Sequence, residues 1–193
     1  MSGNPLVDAG IFLVDALFGL VVFVVMLRFL MYFFRISFHD SAAKFLLNVT
    51  TPLLRPLYTF VPGWRNVDFA ALILMISLEI IKFILIYLFV GHSISIIGIF
   101  LNSIVSLLSL LINIFFFAII IQVILSWVSS GSAYNSNPLS YLIYHLTEPL
   151  LAPARRALPN FQGFDFSPIF VLLGLQLVTI LLVNPLQSIA NAF

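Results

Sequence analysis

Cysteine is missing from all 193 residues, which removes disulfides, thiolate metal sites and cysteine nucleophiles from the chemistry open to this chain. Charge is almost as scarce. Eight Lys or Arg and seven Asp or Glu make up 8% of the residues, against 62% hydrophobic ones. A soluble globule of this length needs more polar side chains than that to cover it, and a mean hydropathy of +1.19 assigns the covering to lipid. The apolar runs are continuous rather than alternating. That excludes a β-barrel and leaves α-helices, the other structure that satisfies its own backbone in hydrocarbon. Only three histidines occur, His39, His92 and His145, and they are scattered without metal-ligand spacing. There is no nucleophile–base arrangement, no histidine–carboxylate set and no glycine-rich phosphate loop. An enzyme is therefore not expected, nor is a cofactor, a metal ion or a nucleic acid partner.

What is present is length. Crossing a hydrocarbon layer of about 30 Å takes about 20 helical residues, and four stretches qualify: 11–34, 69–90, about 103–127, and 168–186. From Ile94 to Val128 the apolar run would be about 50 Å long as one helix, so Gly91 to Asn102 is expected as a surface lead-in. No basic residue precedes the first run, Asp8 and Asp15 stand where Lys or Arg would belong, and the run is too long for a cleavable signal. It is expected to remain as a span.

One short pattern occurs twice, 97 residues apart. Thr50-Thr51-Pro52-Leu53-Leu54-Arg55-Pro56 leads to Pro62 and Asp68-Phe69, and Thr147-Glu148-Pro149-Leu150-Leu151-Ala152-Pro153 leads to Pro159 and Asp165-Phe166. Each copy lies between long apolar runs, so the repeated unit reads as helix, amphipathic segment, helix. The expected fold is an all-α membrane protein of four transmembrane helices in two tandem parallel repeats. Residues 1–93 hold spans 11–34 and 69–90 around segment 40–62; residues 94–193 hold spans 103–127 and 168–186 around segment 137–159.

Seven of the eight basic residues, Arg28, Arg35, Lys44, Arg55, Arg65, Arg155 and Arg156, fall at span ends or in the connections 35–68 and 128–167. The positive-inside bias then puts both connections in the cytoplasm and both termini outside.

Within the connections, Asn137-Pro138 reads as a helix start. Leu139, Leu142, Ile143, Leu146 and Leu150 then recur at helical spacing, as do Ala42, Phe45, Leu46, Val49 and Leu53 in the first copy. Such helices lie in the membrane interface with their apolar side in the acyl boundary. Pro52, Pro56 and Pro62, like Pro149, Pro153 and Pro159, are expected to stop and bend the chain before the next span, either at the interface or in a re-entrant dip. Asp68 and Asp165 can cap the outgoing spans. They can also pair with Arg55, Arg65, Arg155 or Arg156 as a contact for anionic lipid head groups or a membrane-protein partner.

The doubled pattern of apolar span, amphipathic segment, Thr-x-Pro-Leu-Leu-x-Pro, Pro and Asp-Phe resembles the bacterial YggT family, related to the YlmG proteins of other bacteria and plastids. Its fullest form is Glu148-Pro149-Leu150-Leu151-Ala152-Pro153-Ala154-Arg155-Arg156-Ala157-Leu158-Pro159 with Gly163-Phe164-Asp165-Phe166-Ser167-Pro168. In the first copy Tyr58 and Thr59 replace the arginine pair, and Ala70-Ala71 replace Ser167-Pro168. The resemblance implies an integral protein of the bacterial inner membrane with no established reaction. Some relatives are associated with osmotic or ion tolerance and plastid ones with cytochrome maturation.

Inside the spans, Glu79 and Lys82 sit near mid-helix, three apart and on one face. They read as a self-neutralising pair or as part of a proton or ion relay, whereas Asp15 and Arg28 are expected to snorkel to the membrane edges. Asn102, Ser106, Ser109 and Asn113 continue a small polar stripe from Ser95 and Gly98, suited to helix packing or to lining an aqueous path. These features leave two expectations: a noncatalytic scaffold or assembly and stress-tolerance factor working through its cytoplasmic helices, or an oligomeric channel or transporter component in ion or osmotic homeostasis.

Overall fold

The computed structural model describes residues 4–36, 41–61, 67–91, 95–128, 138–157 and 165–192, with the side chains of 41–43, 128 and 138 left aside. The helices are α1 (Pro5–Phe33), α2 (Ser41–Tyr58), α3 (Phe69–Val90), α4 (Ile96–Val128), α5 (Pro138–Ala157) and α6 (Ser167–Val178). The last continues through a π-helical turn, Thr179–Val183, into α7 (Asn184–Ala190). Four helical stretches, Pro5–Phe33, Phe69–Val90, Ile96–Trp127 and Ser167–Ala190, are long and apolar enough to cross a membrane. The protein is an all-α, multi-pass membrane protein.

Helix α1 begins six residues before the expected start at 11. The Asn4 side chain accepts the Leu6 N–H at 3.1 Å, and Pro5 occupies the first helical position, where its missing donor costs nothing. Its far end closes with Arg35 in the left-handed region at φ 55°, the Arg35 and Ile36 amides donating back to Tyr32 and Met31 carbonyls. Glycine is the usual residue for that bend. Ile36 and Met31 are both buried, supplying the apolar contact that accompanies it.

Helix α4 also exceeds expectation. It begins at Ile96 rather than near 103, so residues 96–102 of the anticipated surface lead-in are helical and continuous with the span. Ser95 receives the Gly98 amide at 3.0 Å and starts the helix, while Asn102 is held from outside by the Ala190 carbonyl at 3.3 Å. The last span likewise runs past 186 to Ala190. Pro185 cannot donate to its preceding turn, and the chain widens into the π turn just before it, the Asn184 amide reaching Thr179.

The prolines of the connecting helices do not stop them. α2 runs through Pro52 and Pro56 to Tyr58, and α5 through Pro149 and Pro153 to Ala157. In each pair the prolines are four apart and exposed, so they share one side and the carbonyls they leave unbonded face outward on it. The opposite side is buried: Leu46, Thr50 and Leu54 in α2, and Ile143, Thr147 and Leu151 in α5. A hydroxyl thus sits in the middle of each packed stripe. Of the apolar residues expected to face lipid in the first copy, Phe45, Val49 and Leu53 are exposed and Leu46 is packed inward.

α1 lies against α3, α3 against α4, and α4 against α6 and α7. α2 rests on α1 and α3, α5 rests on α4 and α6, and α2 touches α5. The main core gathers Val22, Val25, Met26, Leu30, Leu54, Ala71, Met75, Ile114, Phe115 and Leu146. Ala70 and Ala71 are both fully buried, and their small side chains let neighbouring backbones approach. Around this core Leu6, Phe12, Leu17, Leu20, Leu173, Leu177 and Leu181 point outward, the surface expected where the solvent is lipid.

Candidate functional site

The end of the molecule bearing α2 and α5 concentrates polar contacts, and each connecting helix is fastened there to the spans around it. In the first fastening Arg28, on α1, donates to Thr50 Oγ1 at 2.7 Å, to Thr51 Oγ1 at 3.1 Å and to the Tyr58 hydroxyl at 3.2 Å. Tyr58 in turn donates to Asp68 at 2.5 Å, and the same carboxylate accepts the Ala71 amide at 3.1 Å. Asp68 therefore caps α3 and anchors α2 at once. Burial, then the hydrogen bond to Asp68, push the Tyr58 phenol up to about 12.

In the second fastening the Thr147 hydroxyl donates to Gln122 Oε1 on α4 and also lies 2.8 Å from the Ile143 carbonyl. Both neighbours are acceptor oxygens, so the hydroxyl's single proton is shared between them. Thr50 differs in that it donates to the Leu46 carbonyl at 2.6 Å and accepts from Arg28. Arg155 then bridges Glu148 Oε2 at 2.8 Å and Asp165 Oδ2 at 2.9 Å. Partial burial of Arg155 works against its cation, but the contacts with Asp165 and Glu148 outweigh it and strengthen its hold on its proton. Partial burial of Asp165 is likewise outweighed by its contacts with Ser167 and Arg155, which hold its carboxyl below the ordinary carboxylate range.

The basic residues singled out from the sequence thus separate. Arg155 is tied into a three-membered ion cluster, Arg55 and Arg156 are exposed, and Arg65 lies outside the described residues, as do His39, His92, Pro62 and Pro159. Asp68 meets a tyrosine where Asp165 meets an arginine. Arg28, expected to snorkel, is instead spent on Thr50, Thr51 and Tyr58. The sequence signal for it was a polar residue near the inner end of each first span, Arg28 or Gln122, within reach of the threonine that opens the repeated motif.

Between the end of α1 and α5 opens a groove of about 340 Å³, lined by Phe34, Arg35, Ile36, Tyr141, His145, Glu148, Pro149 and Ala152. It holds both signs of charge, and the His145 ring stands edge-on to Tyr141 with centroids 4.1 Å apart. Arg35, with its backbone in the left-handed region, is one of the residues that line it.

At mid-span Lys82 Nζ lies 2.8 Å from Glu79 Oε2 and 3.4 Å from Asp15 Oδ1 of α1, and reaches Ser106 of α4 at 3.4 Å. The Glu79 oxygen meets the ammonium by distance without hydrogen-bond angles to any neighbour. Asp15, also expected to snorkel, joins this cluster. The stripe on α4 is divided among different tasks. Asn102 bonds Gly98, Ala190 and Gln187, Ser106 faces Lys82, Ser109 bonds its own helix at Val105, and Asn113 is exposed. Among the described residues no three His, Asp or Glu side chains converge as metal ligands.

The CCB3/YggT family model matches residues 7–89 and again 101–186. The chain belongs to the CCB3/YggT family. It is similar to an uncharacterized protein of Pseudomonas aeruginosa, 39% identical over 185 residues, covering 95% of this chain and 92% of that one. Similar too are the uncharacterized protein in the proC 3' region of Vibrio alginolyticus, 33% identical over 173 residues (89% and 91%), and the uncharacterized protein YggT of Escherichia coli K12, 30% identical over 180 residues (93% and 92%). No solved structure matches. The two stretches matched by the CCB3/YggT model are those that carry the two fastenings.

Proposed function

We propose that this CCB3/YggT protein is a noncatalytic scaffold of the bacterial inner membrane, a parallel pair of helical hairpins whose α2 and α5 face the cytoplasm and dock a membrane-protein partner against the lipid head groups. The observation that carries this reading is the groove between α1 and α5. It combines Arg35, His145 and Glu148 in one concavity, with Arg156 exposed on the same helix. Polar groups of both signs lining one concavity with Phe34 and Tyr141 suit recognition of a protein segment or a zwitterionic head group at the interface. A role in assembly or stress tolerance follows from such docking, with both termini in the periplasm.

Photo-crosslinkers placed at Tyr141 and Arg156 in native membranes test this reading. A discrete partner should be captured, and Arg156→Ala should weaken capture while leaving insertion intact. Capture of lipid alone, or of nothing, removes the scaffold reading.

A second reading, a component of an oligomeric ion pathway, is favoured by the charged cluster at Asp15, Glu79 and Lys82. Proteoliposomes of the purified chain should then pass ions at a rate that Glu79→Gln changes; absence of flux in either orientation removes it.

A further inference from the structure

Helix α4 turns two different sides to its neighbours. Val105, Leu108 and Ile112 pack with Val183 and Leu186 of the last span. On another side Leu110 and Ile114 join the main core with α1 and α3, and Ser106 meets Lys82 of α3 at 3.4 Å. Subtracting the 97-residue offset of the repeated motif carries the first side onto Asp8, Ile11 and Asp15 of α1. Asp15 does face α3, through Lys82, so α1 meets α3 as α4 meets the last span.

The second side of α4 finds no such match. Its counterparts on α1 are Ala9, Leu13 and Leu17, and all three are exposed, Leu13 by 58% and Leu17 by 67%. The last span is open in the same way. On α3, Leu72 and Ile76 are half-buried and Glu79 is buried; their counterparts Ile169, Leu173 and Gln176 are all exposed. The difference lies in position, since α3 packs between α1 and α4 whereas the last span packs on α4. The Gln176 side-chain amide makes no hydrogen bond to the described residues, and amides within spans commonly bond across to another helix.

We propose that copies of this chain associate head to tail: the Ile169, Leu173 and Gln176 flank of the last span in one copy packs on the Ala9, Leu13 and Leu17 side of α1 in the next. The occupant is a second copy because the chain already holds this junction once, where α3 meets α4. Directions agree as well. α1 and α4 run one way through the bundle and α3 and the last span the other, so the junction within a copy and the junction between copies are both antiparallel. Lys82 stands level with Ser106, which by the same offset puts Gln176 near Leu13 and Leu173 near Leu17 of the neighbouring copy. Such a contact joins unlike surfaces, so it closes into a ring or runs on as a chain. It rests on neither reading above, since a scaffold and an ion pathway can both be built from several copies.

Engineered cysteines test this in a chain that has none of its own. Full-length Leu17→Cys and Leu173→Cys proteins, tagged differently and made together in native membranes, are oxidised with copper phenanthroline. They should form a mixed disulfide dimer, about fivefold or more above either variant alone, because the contact brings unlike surfaces together. The variant carrying both substitutions should give a ladder of multimers or a closed ring. Leu17→Cys with Ile84→Cys, on the exposed side of α3, sets the level of chance collision. Leu13→Cys with Gln176→Cys repeats the test at a second level and replaces the first pair if either of its variants fails to insert. A mixed dimer no more abundant than the one with Ile84→Cys overturns the proposal. So does Leu17→Cys pairing with itself as readily as with Leu173→Cys, which would mark a symmetric contact through α1.

Discussion

The two fastenings do the same mechanical work with different chemistry. In the first, the guanidinium comes from the span: Arg28 reaches to Thr50, Thr51 and Tyr58, and a neutral phenol passes the connection on to Asp68. In the second, the span offers only the Gln122 amide, and the guanidinium comes from the connecting helix itself, where Arg155 binds Glu148 and Asp165. What the two share is the threonine in the packed stripe and the aspartate ahead of the outgoing span. Position 58 or 155 is therefore free to be tyrosine or arginine only in concert with its neighbours, because two guanidinium groups in one fastening would repel.

The strongest way to break the comparison is to remove the cation from the first copy. Arg28→Met withdraws three hydrogen bonds from a charged donor and is expected to cost about 2–3 kcal/mol, read as a shift of the unfolding midpoint in mixed micelles. A cost under about 0.5 kcal/mol would mean α2 is held by packing alone. Exchanging the chemistries sharpens the point. Tyr58→Arg alone should destabilise by about 1 kcal/mol through repulsion from Arg28, and Arg28→Gln with Tyr58→Arg should recover most of that loss, since it rebuilds the second arrangement in the first. Strict additivity would show that the two positions do not communicate.

Thr147→Val keeps the volume of the packed stripe but drops the Gln122 contact, with an expected cost of about 1 kcal/mol; Thr50→Val should cost more, because it leaves a cation rather than an amide short of a partner. The two copies should also part at the extremes of pH. Tyr58 has its folded value raised to about 12, above the ordinary value of about 10, so its contribution is complete below about pH 10 and is lost as pH rises towards 12. Tyr58→Phe should remove that alkaline step. Asp165 is lowered, so its contribution is present above the ordinary carboxylate value and is lost as pH falls through its depressed folded value. With Asp165 and Arg155 both partly solvated this acid step should be the smallest of the set, and Asp165→Asn should erase it.

Composition alone made the four spans legible, since nothing but helices in lipid suits so few charges. Boundaries were harder. Asn4-Pro5 carries the same start signal that Asn137-Pro138 does, yet the apolar run masked it. The prolines read as stops because each removes a donor; four-residue spacing puts both losses on one outward side, where the helix tolerates them. The polar fastenings were half legible. The motif threonines and aspartates were visible, but their partners Arg28 and Gln122 sit 22 and 25 residues upstream, a separation that only the packing of the connecting helix on its span can close. Asp15 escaped for the same reason, since its meeting with Lys82 is set by how α1 lies on α3 and not by any local spacing.

Helix α4 has 33 residues, about 50 Å of nearly uncharged rod. At the average inclination of about 20° it still measures about 47 Å along the membrane normal, against a hydrocarbon thickness of about 30 Å. No proline or charge interrupts it to mark where lipid should end. Surrounding acyl chains must stretch along it or its ends must stand proud of the bilayer, and either outcome leaves this rod poorly matched to a thin membrane.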